Sequence, residues 1–246
     1  MSVPHLLVSV RTRDEAIIAI DGGANIVDVK EPAFGSLGRA SSATIGDIVQ
    51  ATTGARTQLS IALGELCEWI DTSLSVEHES VVANLPGWRP AYAKVGLAGT
   101  CNVADPKLDW RDNLAHFQRA LSGPQNWVTV AYADHQRARS PLPLDVLEFA
   151  VATGSRVLLI DTFQKDHTSL SDWQSRDDLQ RLRESTRASG VLLALAGRVD
   201  LTMLDALKEF EPDIIAVRGA VCRDGERGQS LCPNRLQVFC DRLNAG

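Results

Sequence analysis

Short, continuous runs of apolar residues recur along the chain, each followed by a turn and then by a segment with helical spacing. Apolar runs that do not alternate with polar residues are typical of strands buried on both faces of a parallel sheet. The pattern predicts eight buried strands, over residues 6–10, 26–30, 58–64, 92–97, 127–134, 156–162, 191–197 and 213–220.

The segments between these runs predict helices, because many begin at an acidic residue, a hydroxyl residue or proline, and several end at glycine. Asp200 is expected to cap the seventh helix and Asn234 the last one. The predicted helices cover residues 14–20, 45–53, 72–85, 109–121, 144–153, 171–189, 200–210 and 236–243.

Eight alternations of strand and helix, without a long linker or low-complexity tract, predict an α/β fold of the (β/α)₈ barrel type. We expect one barrel domain spanning residues 1–246, a length common for such folds. A doubly wound open sheet is the main alternative. The sequence does not favour it, because no GxGxxG motif follows the first strand.

Composition narrows the classes of protein to consider. A net charge of −6 and a pI near 5.4 argue against a nucleic-acid partner or an acidic membrane surface. No apolar run approaches the roughly 18 residues of a membrane span. Five cysteines without CxxC spacing give no zinc or dithiol signature, and the five histidines form no metal triad. We therefore expect a cytoplasmic protein without a metal site, and a homo-oligomer remains open.

Ionisable residues stand at or just after the ends of three predicted strands. Asp28 and Lys30 close the second, Lys94 lies near the end of the fourth, and Asp161 closes the sixth, with Lys165 four residues later. Catalytic groups of such barrels come from the carboxyl ends of several strands. Each residue taken singly also fits a structural ion pair or a charge at the barrel rim. Their joint position favours a catalytic set.

Clustered lysines suggest amine chemistry. A lysine amine with a pKa near 10.4 is almost fully protonated at pH 7, but burial beside other ammonium groups lowers that pKa by about three units. The unprotonated amine then adds to a carbonyl carbon and forms an imine. Asp28 and Asp161 are expected to orient the amines and to transfer protons.

Glycine-rich backbone follows the seventh and eighth predicted strands, where barrels commonly bind phosphate. Gly197, Gly219 and Ala220 are expected to offer backbone N–H groups, and Arg218 a charged fork. The alternative is that these glycines only form turns.

Two further strands contribute weaker candidates. Ser60 belongs to a set of small residues on the third strand that would leave room for ligand. Tyr132 and Asp134 share a face at the end of the fifth strand and are candidates to face the barrel mouth.

Several motifs together resemble the (5-formylfuran-3-yl)methyl phosphate synthase family, also called 4-(hydroxymethyl)-2-furancarboxaldehyde-phosphate synthase. They occur in order along nearly the whole chain: DVKEP (28–32), GSLG (35–38), KVGL (94–97), DT (161–162) with Lys165, ALAG (194–197) and VRGA (217–220). The resemblance implies a barrel lyase of class I aldolase type. Such an enzyme condenses two molecules of glyceraldehyde 3-phosphate, with loss of one phosphate and water, in the biosynthesis of methanofuran-type coenzymes of one-carbon metabolism.

The resemblance also implies roles for the charged residues. Lys30 would form the Schiff base with support from Asp28, Lys165 would be the general acid/base, Asp161 and Lys94 would line the pocket, and no cofactor would be needed. The chain departs from the family pattern in its loops, at Glu31, Phe34 and His167.

Two alternatives to this function stay open. One is another Schiff-base aldolase or a sugar-phosphate isomerase on the same barrel. The other is a non-catalytic barrel that binds a phosphorylated metabolite.

Overall fold

The protein is described by a computed structural model that covers residues 3–70, 89–101, 109–121 and 123–245. Eight parallel strands form a closed barrel in which each strand pairs with the next one along the chain. The ring closes between the first and last strands, where Leu7 pairs with Ala216 and Val8 with Val217. The strands are β1 His5–Val10, β2 Ile26–Val29, β3 Gln58–Glu65, β4 Tyr92–Gly96, β5 Asn126–Tyr132, β6 Val157–Asp161, β7 Leu192–Leu195 and β8 Ile214–Val217.

Helices follow the strands and surround the barrel. Within the described residues they are α1 Arg13–Asp21, α2 Ser42–Thr52, α3 Cys67–Ile70, α4 Trp110–Ala120, α5 His135–Ala138, α6 Pro143–Thr153, α7 Leu170–Trp173, α8 Arg176–Ser189, α9 Leu201–Lys208 and α10 Pro233–Asn244. Three short 3-10 turns, Pro32–Phe34, Gly219–Val221 and Arg223–Gly225, lie in the loops after β2 and β8. The predicted (β/α)₈ barrel is confirmed.

Most predicted helix ends are confirmed by their caps. The Asp200 side chain accepts the N–H groups of Thr202 and Met203 at the start of α9. Gly154, with φ 74°, ends α6 in the left-handed conformation that glycine adopts at no steric cost. The predicted cap at Asn234 is wrong: α10 begins one residue earlier, at Pro233, whose fixed φ suits a first helical position.

The predicted helix over residues 171–189 is two helices. The first one ends at Trp173, and the Ser175 hydroxyl then accepts the N–H of Asp178 while the Asp178 side chain accepts the N–H of Ser175. This capping box starts α8, while Ser169 and Asp172 form another one at α7. The predicted helix over residues 72–85 lies outside the described residues.

Apolar side chains fill two separate layers. One set lies between the strands and the helices, and Val27 and Val29 belong to it. The second set fills the inside of the barrel and includes Ile26, Val130 and Leu159. Since side chains alternate along a strand, the residues that follow this inner set in the same parity point into the barrel mouth. No helix in the described ranges is long and apolar enough to cross a membrane.

Candidate active site

The innermost charged group of the barrel mouth is a buried ion pair between strands β2 and β4. The amine of Lys94 lies 2.8 Å from Asp28 Oδ1. Ser60 donates a hydrogen bond of 2.8 Å to the same oxygen, and Ser9 donates one of 3.2 Å to Oδ2. Asp28 therefore binds Lys94 directly, rather than Lys30 as the sequence suggested. Ser60 holds this carboxylate, so its hydroxyl donates to the protein instead of lining an open space for ligand.

Lys30 lies further out in the mouth, just after β2. Its amine donates to the carbonyl oxygen of Ser36 over 3.3 Å. Burial, together with the charges of Lys165 and Lys94, lowers the pKa of Lys30 to about 7, against the opposing effects of Asp161 and Asp28. At pH 7 about half of these amines are unprotonated, compared with fewer than about one in 1,000 for an ordinary lysine.

The second carboxylate of the mouth belongs to Asp161 at the end of β6. Its Oδ1 accepts the amine of Lys165 at 2.7 Å, and its Oδ2 accepts the hydroxyl of Ser36 at 2.8 Å. Burial would raise the pKa of Asp161, but the charges of Lys165 and Lys30 and these hydrogen bonds hold it at about 2. Burial lowers the pKa of Lys165, while Asp161 opposes that shift.

Ser36 links these two groups, and sequence reasoning did not identify it as a site residue. It is fully buried, its carbonyl oxygen accepts from Lys30, and its hydroxyl donates both to Asp161 and to the carbonyl oxygen of Thr162. Its place within the glycine-rich turn after Lys30 was the available signal. Asp134 has a structural role in the next loop, where it accepts the N–H groups of Phe163 and Gln164.

A cavity of about 440 Å³ opens over the lysines on the side of β6, β7 and β8. The predicted backbone groups lie in its wall, together with basic side chains: Lys30, Lys165, Gly197, Arg198, Gly219, Ala220, Arg227 and Arg235. Gly197 has a φ of 98°, and a Cβ there would lie 3.0 Å from Thr162 Cγ2. Backbone N–H groups beside positive charges are suited to hold an anion.

Arg218 does not supply the charged fork that the sequence predicted. It is buried, and its guanidinium donates to both oxygens of Glu15 and to the carbonyl oxygens of Ser9, Arg227 and Gln229. These bonds use all five N–H groups of an arginine, so none is left for a ligand. Arg218 instead fixes the loop after β8 to the start of α1.

Arg227 is the basic residue that sequence reasoning missed. Its guanidinium donates to the carbonyl oxygens of Gly35 at 3.1 Å and Pro32 at 3.4 Å. Burial lowers its pKa, and Asp161 opposes that effect. These contacts place its charge between the loop that follows Lys30 and the cavity. No local motif marks residue 227, apart from its position in the loop after β8.

Among the residues that the structure describes, no three His, Cys, Asp or Glu side chains are grouped so that they could hold a metal ion. The loop departures have simple local roles. The Glu31 side chain accepts the N–H of Ala33 at 3.0 Å and caps the turn after Lys30. Phe34 is 73% exposed and His167 is also exposed. The chemical groups of the mouth include amines, carboxylates, guanidinium groups and backbone N–H groups.

Solved structures with a similar fold include enzymes of small phosphorylated molecules, although their sequence identity is low. Phosphoribosyl anthranilate isomerase from Thermotoga maritima is 13% identical, with a TM-score of 0.60 over 99% of this chain and 100% of that one. Thiamine phosphate pyrophosphorylase from Pyrococcus furiosus is 12% identical, with a TM-score of 0.59 over 98% and 95%. At this identity the likeness shows the barrel fold alone.

Sequence comparisons are more specific. Proteins named (5-formylfuran-3-yl)methyl phosphate synthase from Archaeoglobus fulgidus and Methanococcus maripaludis are 33% and 35% identical to the chain. The alignments cover 92% and 91% of this chain and 93% and 92% of those proteins. The family model described as 4-HFC-P synthase matches residues 6–239. With its barrel and its lysine–aspartate mouth, the chain belongs to the 4-HFC-P synthase family of enzymes.

Proposed function

We propose that this protein condenses two molecules of glyceraldehyde 3-phosphate into (5-formylfuran-3-yl)methyl phosphate through an imine on Lys30. The observation that carries the proposal is the pKa of about 7 of Lys30, in the mouth of a barrel whose opposite wall is suited to anions. An amine with that pKa is a usable nucleophile at neutral pH. The names of the aligned relatives supply the product.

The first steps follow from the positions of the amines. Unprotonated Lys30 attacks the aldehyde carbon of one triose phosphate, and loss of water gives the iminium. The iminium makes the protons of the adjacent carbon acidic, so that a base can remove one and the resulting enamine can attack the second aldehyde. Lys165, held by Asp161 at 2.7 Å, is the base and acid that we assign to these transfers.

The remaining groups assist from their fixed positions. Lys94 lies deeper in the barrel, and its charge lowers the pKa of Lys30. The backbone of Gly197, Gly219 and Ala220, with the charge of Arg227, is the site that we assign to a substrate phosphate. The cavity of about 440 Å³ lies within the range of roughly 300–1,000 Å³ usual for small-molecule sites. We place the reaction in the cytoplasm because all five cysteines are free thiols. The names of the aligned relatives support a place in methanofuran-type coenzyme biosynthesis.

The test is to incubate the protein with glyceraldehyde 3-phosphate and to follow furan absorbance, with and without borohydride. Borohydride should reduce the imine and add the mass of the triose to Lys30, as read by peptide mapping. Lys30→Arg should abolish both the furan and the adduct. Lys208→Arg is the matched control and should keep both, because Lys208 lies on helix α9 and its amine donates to the carbonyl oxygens of Arg242 and Ala245.

Interconversion of triose phosphates without a furan product would instead identify an isomerase. Absence of an adduct, or an adduct confined to another lysine, would contradict the imine on Lys30. If the Lys30→Arg variant binds ligand and fulfils its role in the cell as the native chain does, the protein is a non-catalytic barrel.

A further inference from the structure

A third acidic group lies in the barrel mouth, beside Asp28 and Asp161, and takes no part in the steps assigned above. Glu65 ends strand β3 and Tyr132 ends strand β5. The Tyr132 hydroxyl donates to Glu65 Oε1 over 2.5 Å, and the N–H of Ala98 donates to Oε2 over 2.9 Å. Tyr132 is fully buried, whereas Glu65 is partly exposed. The carboxyl group is therefore held rigidly by two donors but keeps some access to solvent.

This pair occupies space that strand β4 leaves open. A Cβ on Gly96 would lie 2.1 Å from Glu65 Oε2 and 2.4 Å from the Tyr132 hydroxyl oxygen, so the pair needs glycine at this position. Gly96 lies two residues after Lys94 on the same strand, and side chains two residues apart point to the same face. The pair therefore lies directly above Lys94, toward the mouth.

Asp161 is the neighbour of this pair on the next strand. Tyr132 and Asp161 are paired residues of β5 and β6. The charge of Asp161 acts on both members of the pair and raises the pKa of each. Glu65, Tyr132 and Asp161 therefore form one arc of the mouth, with Lys165 bound at its far end.

The surroundings of Glu65 favour its protonated form. Burial raises its pKa, and the charges of Glu68 and Asp161 raise it further, against the hydrogen bonds from Tyr132 and Ala98. Burial also raises the pKa of Tyr132, and so does the charge of Glu65. Cys67, a further titratable group close to Glu65, likewise has a raised pKa, first by burial and then by the charge of Glu65.

Resting on the proposed function, we propose that Glu65 is a second acid–base group of the reaction, and that Tyr132 is the residue that positions it. Formation of a furan from two trioses requires loss of water, and each loss needs a proton on a departing hydroxyl group. Glu65 donates its proton to that oxygen, the carbon–oxygen bond breaks with its electron pair on oxygen, and water leaves. The carboxylate then takes the proton released from the adjacent carbon, which forms the double bond and restores the acid.

The test compares Glu65→Gln and Tyr132→Phe with the native chain in two assays, furan formation and borohydride trapping at Lys30. Glu65→Gln should lower kcat by about 10²–10⁴-fold, the usual contribution of general acid–base catalysis, and leave trapping near the native level. The native chain should lose activity as pH rises through the pKa of Glu65, and this limb should be absent in Glu65→Gln. Tyr132→Phe removes a hydrogen bond that lowers this pKa, so the limb should move to higher pH.

Gly96→Ala provides a third variant, because the added methyl group meets both members of the pair. It should reproduce the loss of kcat, while Gly46→Ala, whose Cβ meets nothing within 4 Å, should not. Native kcat and pH profile in Glu65→Gln would overturn the inference, and so would a parallel loss of trapping and turnover, which indicates a structural role. If the native chain forms no furan, the proposed function fails and this inference fails with it.

Discussion

The carboxylate of Asp28 binds the amine of Lys94 at 2.8 Å across the inside of the barrel, although Lys30 lies only two residues further along the chain. This pairing separates the two lysines by role. Lys94 is paired with a carboxylate at the floor of the mouth, while burial lowers the pKa of Lys30 to about 7. The segment that leads to Lys30 thus also carries the carboxylate that pairs with the neighbouring lysine.

Asp28→Asn should destabilise the fold by about 3–5 kcal/mol, because it leaves the amine of Lys94 buried without a compensating charge. Chemical denaturation measures this free energy of unfolding. The double variant Asp28→Asn, Lys94→Met should recover most of the loss, since no unpaired charge remains. If the two substitutions destabilise additively, the ion pair contributes no coupling and this account of Asp28 is wrong.

Lys165→Ala should reduce turnover by about 10²–10⁴-fold while borohydride trapping at Lys30 continues. The reason is that proton transfer acts in the transition state, whereas the imine needs only an unprotonated Lys30 and substrate. Rapid quenching with borohydride, followed by peptide mass analysis, separates the two effects. Native turnover in this variant would exclude Lys165 from the mechanism.

Arg227→Ala should raise KM for the phosphorylated substrate by about 10- to 100-fold, the effect of one lost hydrogen bond to a charged group. Arg223→Ala removes an exposed arginine from the same loop and should leave KM unchanged. Steady-state kinetics on both variants compares them directly. Equal KM values would show that Arg227 only holds the loop between β2 and α2 in place, through the carbonyl oxygen of Gly35.

Arg218→Met should lower the stability of the protein rather than its affinity for substrate, because Arg218 holds the loop after β8 to the start of α1. It leaves Glu15 buried without the guanidinium that binds both of its oxygens, and should cost about 3–5 kcal/mol of unfolding free energy. The loss is read as a lower denaturant midpoint. A variant of native stability with a raised KM would restore the phosphate role first predicted for Arg218.

The fold could be predicted because its signals are local. Continuous apolar runs, helical spacing and capping residues such as Asp200 each depend on a few neighbouring positions. The carboxyl-terminal ends of the strands then indicated which residues reach the mouth, since the catalytic groups of such barrels lie at that end. The capping box at Ser175 was missed because helical periodicity continues through it in the flanking segments.

The partners within the site could not be predicted, since they depend on distances across the barrel. Alternation places Asp28 and Lys30 on one face of a strand but does not say that Lys94 reaches Asp28 from β4. The five bonds of Arg218 come from residues that lie up to 209 positions away. Sequence spacing therefore identified the lysines and aspartates of the mouth but not Ser36 or Arg227, and the pairing of all these groups depends on barrel geometry.

Lys30→Met should stabilise the fold at neutral pH, since the native chain keeps this amine where its protonated form is disfavoured. The pKa of Lys30 falls from 10.5 to about 7 on folding. Below pH 7 the amine is protonated in both states, and the folded state bears the full cost, on the order of a few kcal/mol. Between pH 7 and 10.5 the folded state releases the proton first, so native stability rises with pH and the gain from Lys30→Met shrinks.

Urea denaturation of the native chain and Lys30→Met at pH 6, 7, 8 and 9 measures this difference. Lys208→Met is the matched control, at a lysine of α9 that bonds to carbonyl oxygens near the end of the chain, and its difference from native should not vary with pH in this way. Loss of the same proton from the Lys30 amine should make kcat/KM of the native chain rise with pH through about 7. A stability difference for Lys30→Met that stays constant from pH 6 to 9 would mean that Lys30 keeps an ordinary pKa, and the imine mechanism would lose its nucleophile.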